Sequence, residues 1–579
     1  MYNLTSNRGA FSSQLRDGDK NIKPDVLIIG SGAAAMTAAL RAKSLGLSPL
    51  IVEKASKIGG TSAYSGGGLW IPNSGIHSGV DDSPEEALKY LESVVEDVGP
   101  ASSRERKVAF LENGPRMVKF LADQGYRWMP SKGYPDYFPE APGGKTGGRT
   151  VEPRLFDLNK LGEWKDKLNF NPIRPPTVPM HTFELAKLVR IRGSWEGTFT
   201  AMEIFGLRKY SRTILGQWPV TIGVSMTGQL LYLCLQNDIP IWTDSPMKEL
   251  VVQDGRVTGA VIQKQGGEEI VIDAPKGVLL AAGGFSRNSE MRKRFQAPGI
   301  SAEWTSASPT DTGEAITAAM NIGAATALLD EAWWGATIVD PATGQPYWTI
   351  YERALPHSII VDNKGQRFTN EAQSYNAFGR ALWDQNKAVP GSAVPAYLIL
   401  DTNHRNSYLL ATKFLPGITP QSALDSGMIT KAATLKELAE KLSIDDSALQ
   451  STVSRFNGFA AKGVDEDFNR GRSYYDNFIG DPTHKPNPNL GGIDSAPFYA
   501  LRIWPGDLGT KGGVLTDEYG RALKNSKNGK TEVISGLYAV GNSSASVMGR
   551  TYAGAGATLG PALTFAYIAA GHMGGAETS

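Results

Sequence analysis

The chain has 579 residues, 41% of them apolar and 20% charged, which excludes disorder as its main state. Its 59 basic and 58 acidic side chains leave a net charge of +1, which argues against a nucleic-acid partner. A single cysteine, Cys234, excludes an internal disulfide framework and a thiolate metal cluster.

Residues 1–23 form a polar arm without the apolar core of a secretory signal. Val26, Leu27, Ile28 and Ile29 then make a short apolar run, as a buried parallel strand requires. It leads into Gly30-Ser31-Gly32-Ala33-Ala34-Ala35. In this dinucleotide fingerprint Gly30 permits a tight turn and Gly32 lets the backbone approach a pyrophosphate. Ala35 is small enough for helix to pack on strand. Ala33 opens a helix predicted over 33–45, whose first amides face the diphosphate. A strand over 50–52 ends in Glu53, near the ~20-residue offset of a ribose-binding acid; Lys54 follows. A glutamate there disfavours a 2′-phosphate.

A second glycine-dense stretch, Gly59-Gly60-Thr61-Ser62 and Ser65-Gly66-Gly67-Gly68, calls for a longer cofactor than one diphosphate loop would serve. Two later strand-then-glycine segments fit the same plan. One ends in Ala282, Gly283 and Gly284, the other in Gly541 and Asn542. Such scattered segments look like a flavoprotein FAD fold, with Asn542 where an Asp usually holds the ribityl chain. Thr558 and Leu559 complete the candidate cofactor-binding set. FAD is expected to be noncovalent, because Cys234 falls in a predicted core helix and no histidine is placed for a flavin bond.

The expected architecture is α/β: a discontinuous Rossmann-like FAD-binding domain with an inserted α+β substrate, or capping, domain. The first takes 24–104, 225–296 and 496–579; the second takes 297–495. A largely helical insert occupies 105–224. Within it 130–153 reads as loop. Residues 213–237 carry no charge, but Gln217, Pro219, Gln229 and Gln236 favour a core helix over a membrane span. A hairpin is predicted over 248–263 around Asp254-Gly255-Arg256. A helix over 315–323, a strand over 358–362 and a turn at Asn363-Lys364-Gly365 follow. Residues 183–214 interleave Lys187, Arg190, Arg192, Arg208, Lys209 and Arg212 with apolar side chains including Trp195 and Phe199. This segment either lies on an anionic membrane surface or packs on its own domain.

Several motifs together resemble the 3-ketosteroid Δ1-dehydrogenases, within the succinate dehydrogenase/fumarate reductase flavoprotein superfamily. They are residues 59–68, Glu331-Ala332-Trp333-Trp334, Asn370-Glu371, Gly509-Thr510-Lys511-Gly512-Gly513 and Gly549-Arg550-Thr551-Tyr552. The 183–214 insert is similar to the long form of that family. The resemblance covers nearly the whole chain from Pro24. It implies catalytic roles for Tyr137 in Pro135-Asp136-Tyr137, for Tyr375 between Asn370-Glu371 and Phe378-Gly379-Arg380, and for Tyr552 with Gly556. Tyr134 is an accessory match. Ala553 and Ser374 stand where many members have proline, and Ala553 leaves its loop freer.

The implied reaction removes a proton from C2 and a hydride from C1 of a 3-ketosteroid or related fused-ring ketone. Enolisation needs donors on the C3 oxygen, and Tyr552 with the Gly556 amide would supply them. Tyr375 would be the base, helped by Tyr137, because a free phenol ionises only near a pKa of about 10. Flavin N5 would take the hydride. Trp333 and Trp334 either line the steroid pocket or pack in the core. The 6 histidines show no metal-ligand spacing, and no metal is expected. Three rival readings remain: a Δ4-(5α)-3-ketosteroid dehydrogenase, a fumarate-reductase-like enzyme and a noncatalytic flavin- and sterol-binding protein. The steroid side chain, the electron acceptor and the oligomeric state are not legible. A cytoplasmic location, with peripheral membrane contact through 183–214, is the expectation.

Overall fold

The structure, a computed structural model, describes residues 22–76, 80–171, 178–192, 194–526 and 528–576. The predicted arm lies outside the described residues up to position 21, as does His77.

Two six-stranded sheets organise the chain. The first runs Arg521–Asn525, Thr531–Ala539, Gly277–Leu280, Val26–Ile29, Pro49–Val52, Ile241–Trp242. Its inner strands pair in parallel, Val26 opposite Pro49 on one side and Gly277 on the other. All four residues of Val26–Ile29 are buried, which is why the run is uniformly apolar rather than alternating. At its end Gly30 has φ +103°, and a Cβ there would stand 2.5 Å from the Ala281 carbonyl oxygen. Glycine therefore lets the chain turn beneath Ala281 and Ala282. Gly30→Ala should cost at least about 1–3 kcal/mol in chemical denaturation; a variant as stable as the parent would refute this reading of the turn.

The second sheet is antiparallel and runs Pro346–Trp348, Ala332–Val339, Phe498–Thr510, Ala396–Leu400, Ser358–Val361, with Thr430–Ala432 also on the long strand. That strand differs from the expected division at 496. Phe498–Thr510 pairs with Ala332–Val339 along one edge and Ala396–Leu400 along the other. Leu501 and Ile503 belong to the core of this sheet. The strand follows the substrate-side residues, and the chain returns toward the FAD sheet only after Thr510.

The helix expected over 213–237 is shorter, Ile222–Gln236, and nearly all buried. Gly216 at φ +72° and the strand Pro219–Val220 break the uncharged stretch before it. Cys234 lies within this helix, where burial pushes its thiol well above the usual range. The loop expected over 130–153 ends in two strands, Trp128–Pro130 and Thr150–Pro153. The basic insert forms Thr182–Leu188, Trp195–Met202 and further helical turns to Ile214. Among the described residues no helix is long and apolar enough to cross a membrane.

Candidate active site

A cavity of about 520 Å³ runs from the Gly30–Gly32 turn to a cluster of buried tyrosines. Of the predicted cofactor residues, Ala33 and Ala35 do not line it; both are fully buried in the helix behind the turn. All the others do. Gly60 has φ +47° and open space where a Cβ would stand, so a cofactor can reach the backbone here. Two helices, Ala33–Ser44 and Leu559–Met573, begin at the cavity wall, where their positive dipole ends favour an anionic group.

Glu53 sits at the strand end with its acceptors in use. It receives Ser31 N at 3.0 Å, Ser31 Oγ at 2.7 Å and Ala55 N at 2.9 Å. Burial raises its carboxyl pKa, and those three bonds oppose the shift. Lys54 turns to Glu314 at 2.7 Å. Asn542 accepts from Trp333 Nε1 at 3.0 Å, which fixes its amide at the cavity wall. A glycine cradle, two helix N-termini and a buried acid suit a dinucleotide carrying a diphosphate and a ribose, as FAD does.

At the other end the rings of Tyr137, Tyr375 and Tyr552 meet pairwise, with centroids 5.3 to 5.4 Å apart. Tyr134 flanks Tyr137 at 6.5 Å. All four line the cavity and are almost wholly buried.

Each phenol is held by a separate device. The Tyr137 backbone N–H donates to the Ala553 carbonyl at 3.0 Å. Asp136 beside it receives Trp70 Nε1 at 2.7 Å, Arg149 at 2.8 Å and Lys145 N at 3.0 Å. Burial pushes the Asp136 carboxyl up to about 6, with Arg149 opposing, so the pair is ionic at neutral pH. Arg149 also binds Asp82 at 2.6 Å.

Tyr375 opens the helix Tyr375–Ala388, where the Ser374 hydroxyl caps Ala377 N at 3.4 Å. Serine in this position supplies a cap that proline could not. Upstream, Arg367 grips the Glu371 carboxylate through two 2.7 Å bonds, and Arg353 donates to the Glu371 and Gln373 carbonyls.

Tyr552 receives Thr558 Oγ1 at 3.0 Å. The Ala553 carbonyl takes Tyr90 Oη at 2.6 Å as well as the Tyr137 amide. The loop expected to be freer at Ala553 is thus clamped by two donors. Gly556 has φ +92°, and a Cβ would lie 2.3 Å from Gly68 O, so the close pass of two chains requires glycine.

Electrostatics separate the phenols. Burial holds Tyr134, Tyr137 and Tyr375 well above the usual tyrosine range. At Tyr375 the Tyr552 charge adds to the rise, while a hydrogen bond from Tyr137 opposes it. Tyr552 is raised by burial, against the Thr558 hydroxyl, the Tyr375 hydroxyl and the Gly556 amide. Tyr552 and Gly556 both line the cavity.

Trp333 and Trp334 point to opposite faces of their strand, as neighbours in a strand must. Trp333 backs Tyr552 at 4.9 Å, and Trp334 packs on Trp383. Neither lines the cavity. Sequence reasoning did not find Tyr475, 5.0 Å from Tyr137, or Trp348, 5.3 Å from Tyr375. The aromatic run Pro346-Tyr347-Trp348 was the available signal for the second; Tyr475 lies in a short helix with none.

A dinucleotide cradle opening onto buried phenols defines a flavin-dependent oxidoreductase, and known proteins agree. The FAD binding domain family matches residues 25–559. The chain is 43% identical over 566 residues to the 3-oxosteroid 1-dehydrogenase of Mycolicibacterium smegmatis, covering 94% of this chain and 96% of that protein. It is 35% identical to the 4-oxocyclohexanecarboxylate 2-dehydrogenase of Sinomonas cyclohexanicum, covering 94% and 92%. The crystal structure of 3-ketosteroid delta1-dehydrogenase from Sterolibacterium denitrificans, in complex with 1,4-androstadiene-3,17-dione, matches with a TM-score of 0.89 at 37% identity, covering 96% and 99%. The chain belongs to the FAD-binding flavoproteins and, within them, to the 3-oxosteroid 1-dehydrogenase family.

Proposed function

We propose that the chain introduces the C1–C2 double bond into ring A of a 3-ketosteroid. The convergence of Tyr375 and Tyr552, ring centroids 5.3 Å apart, at one end of the dinucleotide cavity carries this reading. The Tyr552 hydroxyl and the Gly556 amide hold the C3 oxygen and favour the enolate. Tyr375 removes the C2 proton, and Tyr137 hydrogen-bonds the oxygen that gains it. Tyr134 lines the cavity beside Tyr137, and Tyr475 packs on the Tyr137 ring from outside the lining. FAD, held noncovalently by the glycine loops, Glu53 and Asn542, supplies a hydride acceptor when bound. Relatives at 43% and 35% identity carry names for dehydrogenations of ring ketones, which supports ketone-assisted proton removal.

Tyr552→Phe should slow deuterium washout from C2 by about 10²-fold, the worth of one oxyanion donor of roughly 3 kcal/mol. Washout at the parent rate would remove Tyr552 from the carbonyl.

The chain also rests on an anionic membrane through the insert in this reading. Trp195, Phe199, Leu207 and Ile214 are between 64% and 84% exposed, which supports this reading, while Leu188, Ala201 and Ile204 pack the insert from within. Leu415 and Ile418 are also exposed, on a turn that Arg192 of the insert holds through the Pro416 carbonyl at 3.1 Å. Lys209 and Arg212 lie on the same segment, and each basic residue near anionic lipid adds about 1 kcal/mol. Leu185, in the first helix of the insert, lines the cavity, which gives an apolar ketone a short way from lipid to the site. The parent should float with phosphatidylglycerol vesicles, and a triple Trp195→Ser, Phe199→Ser, Ile214→Ser variant should not. Equal behaviour of the two in flotation would assign the patch to something else.

A further inference from the structure

Lys511 is wholly buried yet does not line the cavity. Its Nζ donates to the Thr551 carbonyl at 3.0 Å, the peptide that leads directly into Tyr552. The same ammonium stands 4.4 Å from the centre of the Trp333 ring. That ring meets Tyr552 edge to face and anchors Asn542 through its Nε1. One cation thus touches both the backbone before Tyr552 and the ring behind it.

We propose that Lys511 is a positioning residue for the carbonyl-polarising phenol: its buried ammonium fixes the Thr551–Tyr552 peptide and Trp333, and its charge strengthens Tyr552 as a donor to the developing enolate. This rests on the reading of Tyr552 given above.

The surroundings set this lysine apart from a structural ion pair. Glu331 acts on it through space, but the Glu331 oxygens are taken by Arg550, Arg380 and Trp334 Nε1. Arg380 and Arg550 face it with like charge, and Asp330 is engaged by Arg550. A buried cation in such company is a poor source of stability, and an apolar side chain would fill the space at less cost. Burial draws the Lys511 ammonium down to about 7, with Glu331 opposing and the two arginines adding. Its charge is therefore present below neutrality and lost above it.

The test measures deuterium washout from C2 of a 3-ketosteroid by FAD-loaded enzyme between about pH 6 and pH 9. At the acid end Lys511→Met should be about tenfold slower than the parent, the effect of one charge at moderate distance in a protein interior. The gap should close toward the alkaline end, where the parent lysine has lost its own proton. A gap of constant size, as a purely structural role would give, overturns the proposal, and so does no gap. If Lys511→Met fails to retain FAD, Glu331→Gln decides. Removing that acid should move the parent's inflection to lower pH, and an unmoved inflection overturns the proposal. Tyr552→Phe run alongside separates the two claims. If it slows washout while Lys511→Met does not, only the lysine proposal falls; if it leaves washout unchanged, the reading of Tyr552 falls first.

Discussion

Tyr375→Phe should cut steroid-driven flavin reduction by about 10²–10⁴-fold, the usual contribution of a positioned base, while FAD stays bound. The change removes one hydroxyl and leaves the ring in its contacts with Tyr137, Trp348 and Tyr552. No predicted cofactor residue is disturbed, so flavin content should match the parent. The pH dependence gives a second signature. Burial and the neighbouring Tyr552 hold the Tyr375 phenol above its ordinary value, so it rests protonated at neutral pH. The proton must leave it before it can act, and reduction by the parent should speed up as pH rises toward that raised value. Tyr375→Phe should lose this dependence. Anaerobic stopped-flow bleaching across pH measures both, and a variant that bleaches at the parent rate would move the base elsewhere, with Tyr134 next in place.

Asp136→Ala should destabilise the fold by about 1–3 kcal/mol, the cost of leaving buried donors without their acceptor. Arg149 is 1% exposed and would keep only Asp82, while Trp70 Nε1 and the Lys145 amide would lose their acceptor. The loss should reach the site as well, because Asp136 lies opposite Gly554 in a β-bridge that aligns Tyr137 with the Tyr552 loop. Urea unfolding of purified holoenzyme gives the number. A cost below about 1 kcal/mol would fit an exposed pair instead.

The two ends of the cavity were legible for different reasons. The cradle could be read from local chemistry, because a strand, two glycines and an acid at a fixed offset are each required by the cofactor. The tyrosines could not be read that way: any of the 20 tyrosines would pass alone, and Tyr137, Tyr375 and Tyr552 stood out through their motifs. What brings them together is long-range, such as the Tyr137 amide on Ala553 or Arg367 on Glu371 and Asp465. Such contacts leave no periodic trace in sequence. The same limit explains Tyr475. It also explains the boundary at 496, where a strand that belongs to the second sheet carries straight on into the Gly509–Gly513 motif. The insert was half legible: its alternating basic and apolar residues predicted amphipathic helices, but which apolar side chains stay exposed depends on how few neighbours Trp195 and Ile214 find.

The most direct measurement is turnover of androst-4-ene-3,17-dione by FAD-loaded protein with an artificial electron acceptor, with its 5α-reduced 3-keto analogue and fumarate run alongside. The account predicts the 1,4-diene as product and no flavin oxidation by fumarate. Desaturation of the 5α analogue at C4–C5, fumarate reduction, or binding of the ketosteroid without turnover would each contradict it.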